Sequence, residues 1–592
     1  MLPAAAAPAL DAMTSTGGFL LVLSIVVPVT GVLLAFILGD QYERLVACAI
    51  VPFGLAIAAA IVVALPQGNG PVVYVLGAWP PPLGIALRAD GLSAVMLAAT
   101  AVVICAVAAF AAADFSITET RVSFTFWILL LAIWGALNTI FLGGDLFTLY
   151  VALELLTFAA VPLVCLDGRG ETLRAAIRYL LFALLGSVLY LLGTTLLYGL
   201  YGTLDIVLLG RRIDTQPAAV VAAALMTTGL LAKTALVPLH LWLPPAHAGA
   251  PAAASAILSG LVVKGSFFII VRLWFNVMPG LPGFIATQLL AGLGGVAIVL
   301  GSVVALRQER LKLLIAYSTL AQIGYLFLMF PLAFGASGRL ESSGALAGGL
   351  LQAISHATAK AAMFLAAGSI YATLGQDRIL GLGGVGRILP ISVLAFALSG
   401  LALMGLPPGG AYLAKELLLQ AAAEKEQWWW AVVLQAGGVF TGAYVVLVLA
   451  HALTAAKEPI TPDSSAPRIR ELATLALALC SLMLGLVPWE AYLSIPNGVP
   501  SDKFGIGALF KMLLPLLGGT GVAILLAPSK LPSWRRSGWN ELMPVISSVR
   551  RGSLASSAIV EAGDKFLRQW PIACISVLTL AALFGVSMLG AH

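Results

Sequence analysis

Long apolar segments alternate with short polar segments along almost the entire chain of 592 residues. A helix that crosses the hydrocarbon core of a membrane needs about 20 mostly apolar residues. Segments of that kind begin near residues 18, 45, 90, 123, 146, 175, 218, 252, 284, 313, 346, 391, 429, 471, 506 and 570. The sequence lacks the short alternating segments typical of barrel strands, so the pattern predicts an all-α polytopic membrane protein with about sixteen spans.

Composition supports this prediction and argues against other classes. Hydrophobic residues make up 60% of the chain and charged residues only 10%, whereas soluble domains are roughly a quarter charged. The net charge of +6 comes from basic residues in short loops, where they orient membrane proteins, and does not indicate nucleic-acid binding. We therefore expect a multi-pass protein of a bacterial-type cytoplasmic membrane, surrounded by lipid.

The five cysteines are scattered through apolar segments and show no CxxC spacing. Iron–sulfur and zinc sites usually require clustered cysteine or histidine ligands. We therefore expect no metal site and no cofactor in this chain.

Ionisable residues inside predicted spans are the main candidates for chemistry. A lysine or aspartate at the centre of a spanning helix costs roughly 2.5–3.5 kcal/mol on insertion scales, so a chain that retains several of them is expected to use them. His356 and Lys360 are four residues apart and therefore share one helical face. The candidates for proton transfer are Glu154, Lys233, Lys264, His356, Lys360 and Lys415.

Such residues suit proton transfer because their environment can control their charge. An ordinary lysine has a pKa of about 10.4 and releases its proton poorly at neutral pH. Burial lowers the pKa of a lysine, and a nearby carboxylate raises it again. Opposite charges 4 Å apart attract by about 4 kcal/mol at an effective dielectric of about 20. A movable pair of Glu154 and Lys233 could therefore hold a proton when it forms and release one when it breaks.

Structural roles remain the alternatives for these residues. Lys233 could be a fixed partner of Glu154 that only stabilises helix packing. Lys264 could extend to the membrane surface if its span is displaced, and His356 could be a satisfied core histidine. Lys415 could lie at a helix end close to water.

Two predicted spans contain residues that interrupt a helix. The seventh span contains Pro238, Pro244 and Pro245 in the PLHLWLPPAH segment just after Lys233. The twelfth contains Pro407, Pro408, Gly409 and Gly410 just before Lys415. Proline removes a backbone donor and kinks a helix. Broken helices at membrane depth expose backbone groups to water or ions, and paired breaks are typical of inverted-repeat transporters. The breaks are therefore candidate channel positions.

His240 and His247 lie in the PLHLWLPPAH turn of the seventh span and are candidates for the same channel. Capping of a helix end or packing in the core is an equally good interpretation of both histidines.

The spacing of the spans predicts six regions along the chain. They are helices 1–3 in residues 1–122, a first repeat of helices 4–8 in 123–275, an inverted second repeat of helices 9–13 in 284–455, helices 14–15 in 471–527, a polar surface segment in 530–569, and a final spanning helix in 570–592. Trp539, Leu542, Met543 and Ile546 fall on one helical face, which favours a helix lying along the membrane surface. An ordinary loop is the alternative for this segment.

Several segments between about residues 90 and 450 match the sequence blocks of a known family. They are LYVALELLTF, LLAKTALVPLHLWLPPAHAGAPAAASAILSGLVVKGSFFIIVR, LKLLIAYSTLAQIGYLFL, SHATAKAAMFLAAGSIY, LGGVGRILP and GLPPGGAYLAKELLL. With these segments the chain resembles the proton-conducting antiporter-like family. The family includes large membrane-arm subunits of respiratory complex I, those of membrane-bound hydrogenases, and subunits of Mrp cation/proton antiporters.

The resemblance implies a 14-helix core with two inverted five-helix repeats, discontinuous helices 7 and 12, and about two added C-terminal helices. It identifies Glu154 with the glutamate of the family's fifth helix and Lys233 with the seventh-helix lysine that pairs with it. Lys264 corresponds to the eighth-helix lysine, and Lys415 to the twelfth-helix lysine on the exit side. Ser259 occupies the position where another branch has histidine, which favours the branch of the fourth complex I subunit, hydrogenases and Mrp. The C-terminal surface segment, in contrast, resembles that of the longest complex I subunit.

The resemblance also implies a path and partners. Cytoplasmic protons would load the region of Lys264, pass His356 and Lys360, and leave at Lys415. The expected function is proton translocation as a subunit of a larger, redox-driven complex whose other membrane subunits supply any redox centre. One alternative is a subunit of a Mrp-type Na⁺/H⁺ antiporter, and another is a structural membrane scaffold.

Overall fold

A computed structural model describes residues 14–68, 70–114, 120–335, 340–455, 467–495, 506–526 and 543–590. Trp539 and Leu542, two of the residues that favoured a surface helix, lie outside the described residues. The helices of the first half are α1 (Phe19–Leu38), α2 (Glu43–Ala64), α3 (Gly91–Asp114), α4 (Thr120–Leu142), α5 (Leu146–Val164), α6 (Gly170–Tyr201), α7 (Ile206–Arg212), α8 (Pro217–Thr234), α9 (Leu243–Gly249), α10 (Ala252–Ile257) and α11 (Val263–Arg272).

The second half continues in the same way. Its helices are α12 (Phe284–Arg307), α13 (Leu311–Phe327), α14 (Met329–Ala333), α15 (Ser343–Leu374), α16 (Val385–Ile388), α17 (Pro390–Leu403), α18 (Gly410–Glu424), α19 (Trp428–Ala452), α20 (Arg468–Met483), α21 (Ile506–Leu526), α22 (Met543–Leu567) and α23 (Trp570–Leu589). Two π-helical turns, Leu258–Val262 and Leu273–Val277, flank α11 and make 252–277 one continuous span. Short 3₁₀ turns are Leu65–Gln67, Leu76–Ala78, Ile379–Gly381, Leu484–Leu486 and Trp489–Ala491.

The predicted spans correspond to helices along the whole chain. Within the described residues, fourteen helices are long and apolar enough to cross a membrane. The shorter α17 and the helix α21 lie at the two remaining predicted positions. The prediction of a polytopic helical membrane protein is thereby confirmed, while the inverted relation of the two repeats stays a prediction.

A small β-hairpin lies between α2 and α3 and was not predicted from the sequence. Strand β1 (Val72–Val75) pairs antiparallel with β2 (Ala86–Ala89). The carbonyl of Ala86 also accepts a hydrogen bond from the Gly144 amide, so β2 rests on the turn between α4 and α5. Strands of four residues are too short to show a clear alternating pattern.

Both predicted breaks are present. Helix α8 ends at Thr234, Ala235 adopts a left-handed conformation with φ +60°, and the chain becomes helical again at Leu243. Pro238 lies within this gap. The second gap separates α17 from α18, contains Pro407 and Pro408, and uses Gly405 at φ +76°, a conformation that favours glycine.

Apolar side chains fill the interior and also cover the outside of the bundle. A continuous core of buried residues includes members of helices from α1 to α23. Large apolar side chains point outward as well; Ile37, for example, is 78% exposed. A protein with apolar residues on both its inside and its outside is suited to lipid and not to water.

The C-terminal segment returns to the body of the protein. Helix α22 lies against α12 and α21, and α23 packs along α8. The ring of Trp570 lies 6.3 Å from that of Phe182, and the ring of Phe584 lies 6.4 Å from that of Trp274. The polar segment is therefore helical from Met543 onward, and its end meets the interior beside the break that follows α8.

Candidate functional site

Glu154 on α5 and Lys233 on α8 form an ion pair in the interior. The Lys233 Nζ lies 3.6 Å from the Glu154 Oε1, beyond ordinary hydrogen-bond length, and the two side chains are 6% and 14% exposed. The ammonium also donates to the Thr157 hydroxyl at 2.7 Å and to the Leu153 carbonyl at 3.4 Å. Lys233 is the last residue but one of α8, so it lies directly at the helix break. The structure thus brings together the predicted pair, and the lysine also has two partners besides the glutamate.

Lys264 lies at the centre of the protein on α11 and is 1% exposed. Its Nζ donates to the carbonyl of Ser259 at 2.6 Å. Ser259 belongs to the π-helical turn Leu258–Val262, in which the regular α-helical hydrogen-bond pattern is altered. A lysine in this position cannot reach the membrane surface, so the alternative of an extended, surface-seeking side chain is wrong.

Helix α13 connects Lys264 with Lys360 through two neighbouring hydroxyl residues. The Thr319 hydroxyl lies 2.8 Å from that of Ser259, whose carbonyl accepts from Lys264. Ser318 accepts a hydrogen bond from the Nζ of Lys360, which is fully buried on α15. The two lysines, predicted from separate spans, therefore approach the same turn of α13.

His356 lies one turn before Lys360 on α15 and is fully buried. The charges of Lys264 and Lys360 both act on its ring. Among the described residues, neither ring nitrogen of His356 has a hydrogen-bond partner. A satisfied core histidine would have one, so this arrangement favours a role with water or a proton.

A row of amide and hydroxyl side chains continues beyond Lys360. The Gln352 amide donates to the Gln322 carbonyl oxygen at 2.9 Å, and the Gln322 amide donates to Thr441 at 3.2 Å. Lys360 itself lies over the ring of Tyr444, 5.5 Å from its centroid. These polar groups link α13, α15 and α19 at membrane depth.

Lys415 lies at the far end of this row. It is half-buried, six residues into α18, and borders a cavity of about 20 Å³ together with Gln352 and Tyr325. A cavity of that size accommodates one water molecule. Lys415 therefore lies just after the second break and beside a cavity with room for water. This position is compatible with both interpretations of Lys415, a proton site and a helix end close to water.

The two histidines near the first break differ in their surroundings. His247 is buried and stacks on the Phe364 ring at 4.9 Å, which supports the packing interpretation. Among the described residues its ring nitrogens lack hydrogen-bond partners, while the charges of Lys264, Lys312 and Lys360 act on it. His240 instead binds the Asp564 carboxylate, 2.9 Å from its Nε2.

Sequence reasoning missed several polar residues of this region. Asp564 lies 324 positions from His240, in a segment interpreted only as a surface helix. Ser259, Ser318, Thr319, Gln322, Gln352 and Thr441 are uncharged, and isolated polar residues are common in membrane helices that pack against each other. Lys312, which donates to the Ala250 carbonyl at 3.0 Å and is 8% exposed, was not among the candidates. The available signal was the series Ser318, Gln322 and Tyr325, polar side chains about one turn apart on α13.

The lysines of this row are not all paired with a carboxylate. Within the described part of the chain, no carboxylate forms an ion pair with Lys264 or Lys360. Burying an ammonium without a counter-charge costs several kcal/mol.

No three His, Cys, Asp or Glu side chains of the described residues group in a way that could hold a metal ion. The absence of a cofactor stays a prediction.

A different ion pair lies at the other end of α11. Arg272 donates to both carboxylate oxygens of Asp90, at 2.5 and 2.6 Å, and also to Ser93 and Asn276. Burial raises the pKa of Asp90, but the charge and hydrogen bonds of Arg272 outweigh this effect and lower the pKa to about 2. The pair borders a cavity of about 700 Å³ next to the β-hairpin.

Comparisons with known proteins support the family resemblance. A family model described as "NADH:quinone oxidoreductase/Mrp antiporter, TM" matches residues 143–441. The chain is 30% identical to NADH-quinone oxidoreductase subunit N of Desulforudis audaxviator over 70% of this chain and 83% of that protein. It is also 30% identical to a Na⁺/H⁺ antiporter subunit of Alkalihalophilus pseudofirmus over 63% of this chain and 74% of that one.

Two solved structures share the fold. A chain of the Mrp complex from a Dietzia species superposes with a TM-score of 0.71 and 26% identity, over 87% of this chain and 98% of that chain. A chain of respiratory complex I from Thermus thermophilus gives a TM-score of 0.64 and 25% identity, over 80% of this chain and 98% of that chain. Both neighbours are subunits of complexes with several membrane subunits.

Proposed function

We propose, from the premise that this chain belongs to the NADH:quinone oxidoreductase/Mrp antiporter family of membrane proteins, that it carries protons across a membrane as one subunit of a larger complex. The observation that carries the proposal is the buried row of polar groups from the Glu154–Lys233 pair, through Lys264 and Lys360, to Lys415. Burying such a row at membrane depth has a high free-energy cost, so a chain that retains it is expected to use it.

The Glu154–Lys233 pair would act as the switch. At 3.6 Å the two charges attract each other without a hydrogen bond that fixes their geometry. When Glu154 is close, the proton on Lys233 is retained. When Glu154 moves away, the Thr157 hydroxyl and the Leu153 carbonyl hold the ammonium of Lys233. The uncompensated positive charge of Lys233 then disfavours protonation of Lys264.

The hydroxyl groups of α13 would then connect the two central lysines. A hydroxyl both donates and accepts, so Ser318 beside Lys360 and the Thr319–Ser259 pair beside Lys264 can each relay a proton through intervening water. The Gln322 and Gln352 amides pass protons poorly but can order water towards Lys415, where the cavity has room for one molecule. His356 and Lys360 would take up the proton between these two parts.

The relatives support proposals for the membrane, the partners and the energy source. We propose a bacterial-type cytoplasmic membrane and a complex I-like or hydrogenase-like redox-driven complex, in which another subunit carries the redox centre. The exchange of Na⁺ for H⁺ is the second candidate, and the similarity to the Na⁺/H⁺ antiporter subunit of Alkalihalophilus pseudofirmus and to the Mrp structure favours it.

Proton flux in liposomes tests both candidates. The chain is purified with the subunits that remain bound to it, reconstituted, and assayed with and without a sodium gradient. Flux that needs sodium supports the antiporter, and sodium-independent flux driven by a redox substrate supports the pump. Glu154→Gln abolishes flux in either case.

A structural scaffold predicts a different result. Lys233→Ala would then lower thermal stability but leave flux per folded complex unchanged. Full flux in a well-folded Glu154→Gln variant would exclude both transport functions.

A further inference from the structure

Two arginines near the start of α6, Arg174 and Arg178, face one surface cavity of about 290 Å³. The cavity is lined by Glu171, Arg174, Ala175, Arg178 and Pro245. Arg178 is half-buried, and within the described part of the chain its guanidinium makes no hydrogen bond or ion pair. In the same part, Arg174 donates to the Gly170 carbonyl at 3.3 Å and has no carboxylate partner. Like charges four residues apart on a helix repel each other, so the cavity is suited to an anion that binds both arginines.

The two arginines lie at one surface of the membrane. Helix α6 begins at the end of the bundle where α2 and α4 also begin, and the first turns of those helices contain Arg44 and Arg121. The positive-inside rule assigns such an end to the cytoplasm. Anionic lipid headgroups supply phosphate along that surface. The planar fork of a guanidinium matches the oxygen atoms of a phosphate.

Deeper in the membrane, the same face of α6 becomes apolar. Leu181, Leu185, Val188 and Leu192 follow at intervals of three or four residues and therefore lie in line with the two arginines. The side chains of Leu181, Val188 and Leu192 are 52%, 59% and 48% exposed. From Leu181 to Leu192 the helix rises about 16 Å, roughly half of a hydrocarbon core that is about 30 Å thick. The face thus offers a basic head and an apolar stripe as long as one leaflet is thick.

We propose that this face of α6 binds one anionic phospholipid of the cytoplasmic leaflet. Its phosphate accepts hydrogen bonds from Arg174 and Arg178 in the cavity, and one acyl chain lies along the apolar stripe. The carboxylate of Glu171 opposes the phosphate; as the acidic residue in the first turn of α6, it stabilises the start of the helix. Lipid binding at this site does not depend on proton transport.

Helix α6 connects the lipid site with the first break. Tyr179, the residue after Arg178, stacks on Trp242 with the ring centroids 4.1 Å apart. Trp242 lies in the gap that follows α8. Further along α6, a Cβ atom added to Gly186 would lie 2.5 Å from the Gly229 carbonyl oxygen of α8, so the two helices are in close contact. A lipid that holds the start of α6 therefore stabilises its packing against α8.

Native mass spectrometry of the purified complex, with the subunits that remain bound to it, measures lipid binding. The complex is titrated in detergent with phosphatidylglycerol, with phosphatidylcholine, and with glycerol 3-phosphate and inorganic phosphate as sources of phosphate without acyl chains. We expect phosphatidylglycerol to bind more tightly than phosphatidylcholine, and neither soluble phosphate to displace it. Arg174→Gln and Arg178→Gln should each weaken phosphatidylglycerol binding about fivefold and together about 25-fold, since an arginine near a membrane surface contributes about 1 kcal/mol.

Two further variants sharpen the test. Arg44→Gln is the matched control, because it removes the same charge from the same side of the membrane but outside the cavity, and it should leave phosphatidylglycerol binding unchanged. Glu171→Gln should act in the opposite direction and strengthen binding several-fold. Phosphatidylglycerol should also raise the melting temperature of the wild type and of Arg44→Gln more than that of the double arginine variant.

Four outcomes would overturn the proposal. Equal phosphatidylglycerol binding in the wild type and the double variant would remove the site. An equal loss in Arg44→Gln would reduce it to a general attraction between surface charges. Displacement by glycerol 3-phosphate or inorganic phosphate would identify a soluble ligand instead of a lipid. Cross-linking of an Arg178→Cys variant to another subunit, with no lipid bound, would show that a protein covers the cavity. Proton transport is tested separately by Glu154→Gln, so either proposal can fail alone.

Discussion

Two basic residues of helix α11, Lys264 and Arg272, lie eight positions apart and have opposite surroundings. Arg272 donates to both oxygens of Asp90, to Ser93 and to Asn276. Lys264 donates to one backbone carbonyl, and no carboxylate of the described residues pairs with it. The guanidinium has a permanent charge and a planar set of donors, which suits a fixed ion pair, whereas an ammonium can lose its proton.

Under the proposed function, the number of satisfied partners distinguishes structural charges from those that carry protons. The Asp90–Arg272 pair has short, bidentate hydrogen bonds and little reason to open. The Glu154–Lys233 pair, at 3.6 Å, lacks this geometry, and the acid oxygen facing the lysine has no hydrogen-bond partner among the described residues. A pair that is close but unsatisfied can change state at small cost.

The largest effect should come from removing the proton site of Lys264. Lys264→Met keeps the length of the side chain and should reduce proton flux by about a hundredfold or more, the usual contribution of a proton-transferring group. Its stability should be unchanged or slightly higher, because an apolar residue replaces an unpaired buried amine. Liposome flux and thermal unfolding in detergent measure the two quantities.

Arg272→Met serves as the comparison on the same helix. It should lower stability, because Asp90 loses its partner, but leave flux per folded protein near the wild-type value. Equal flux losses in both variants would show that the two charges do not differ in function.

A second comparison substitutes the acidic partners, Glu154 and Asp90, instead of the basic ones. Glu154→Gln should abolish flux with a change in unfolding free energy of less than about 1 kcal/mol, since the pair is long and Lys233 keeps its other partners. Asp90→Asn should lower stability by about 1–2 kcal/mol because it breaks bidentate, charge-assisted bonds of a partly exposed pair. If Asp90→Asn also stopped flux, the cluster near the hairpin would belong to the path.

The hydroxyl link on α13 should have an intermediate effect. Thr319→Val keeps the shape of the side chain and removes the contact with Ser259, so we expect flux to fall about tenfold, as for the loss of one hydrogen bond of about 1.4 kcal/mol. Thr195→Val, a similar change on the exposed side of α6, is the control. Unchanged flux in Thr319→Val would place the route between the lysines elsewhere.

The smallest effect concerns the pH dependence of the stability that the Asp90–Arg272 pair contributes. Arg272 lowers the pKa of Asp90 to about 2 against an ordinary value of 3.8. The stability that this pair contributes is therefore complete above about pH 4 and disappears as the pH falls through about 2. The difference in melting temperature between wild type and Asp90→Asn should be constant from pH 8 to pH 5 and decrease below pH 4. A difference that changes near neutral pH would mean that another group titrates with the pair.

The paired proline and glycine breaks were readable from the chain because they act locally. Proline and left-handed glycine disrupt a helix whatever surrounds them, and both gaps lie where Pro238 and Pro407 predict them. The hairpin β1–β2 was not readable, since its four-residue strands form only against each other and the α4–α5 turn. The pairing of His240 with Asp564 was equally hidden, because 324 residues separate them.

By itself the sequence determined the lipid environment, the positions of the long apolar helices and the ionisable residues within them, because apolar length and the cost of buried charge are properties of single segments. Only the tertiary structure decided which of these charges are satisfied and which are not. Packing put Lys264 beside a carbonyl, Arg272 beside a carboxylate and Asp564 beside a histidine. The reason is physical: the state of a buried ionisable group depends on neighbours a few ångströms away, and those neighbours come from distant parts of the chain.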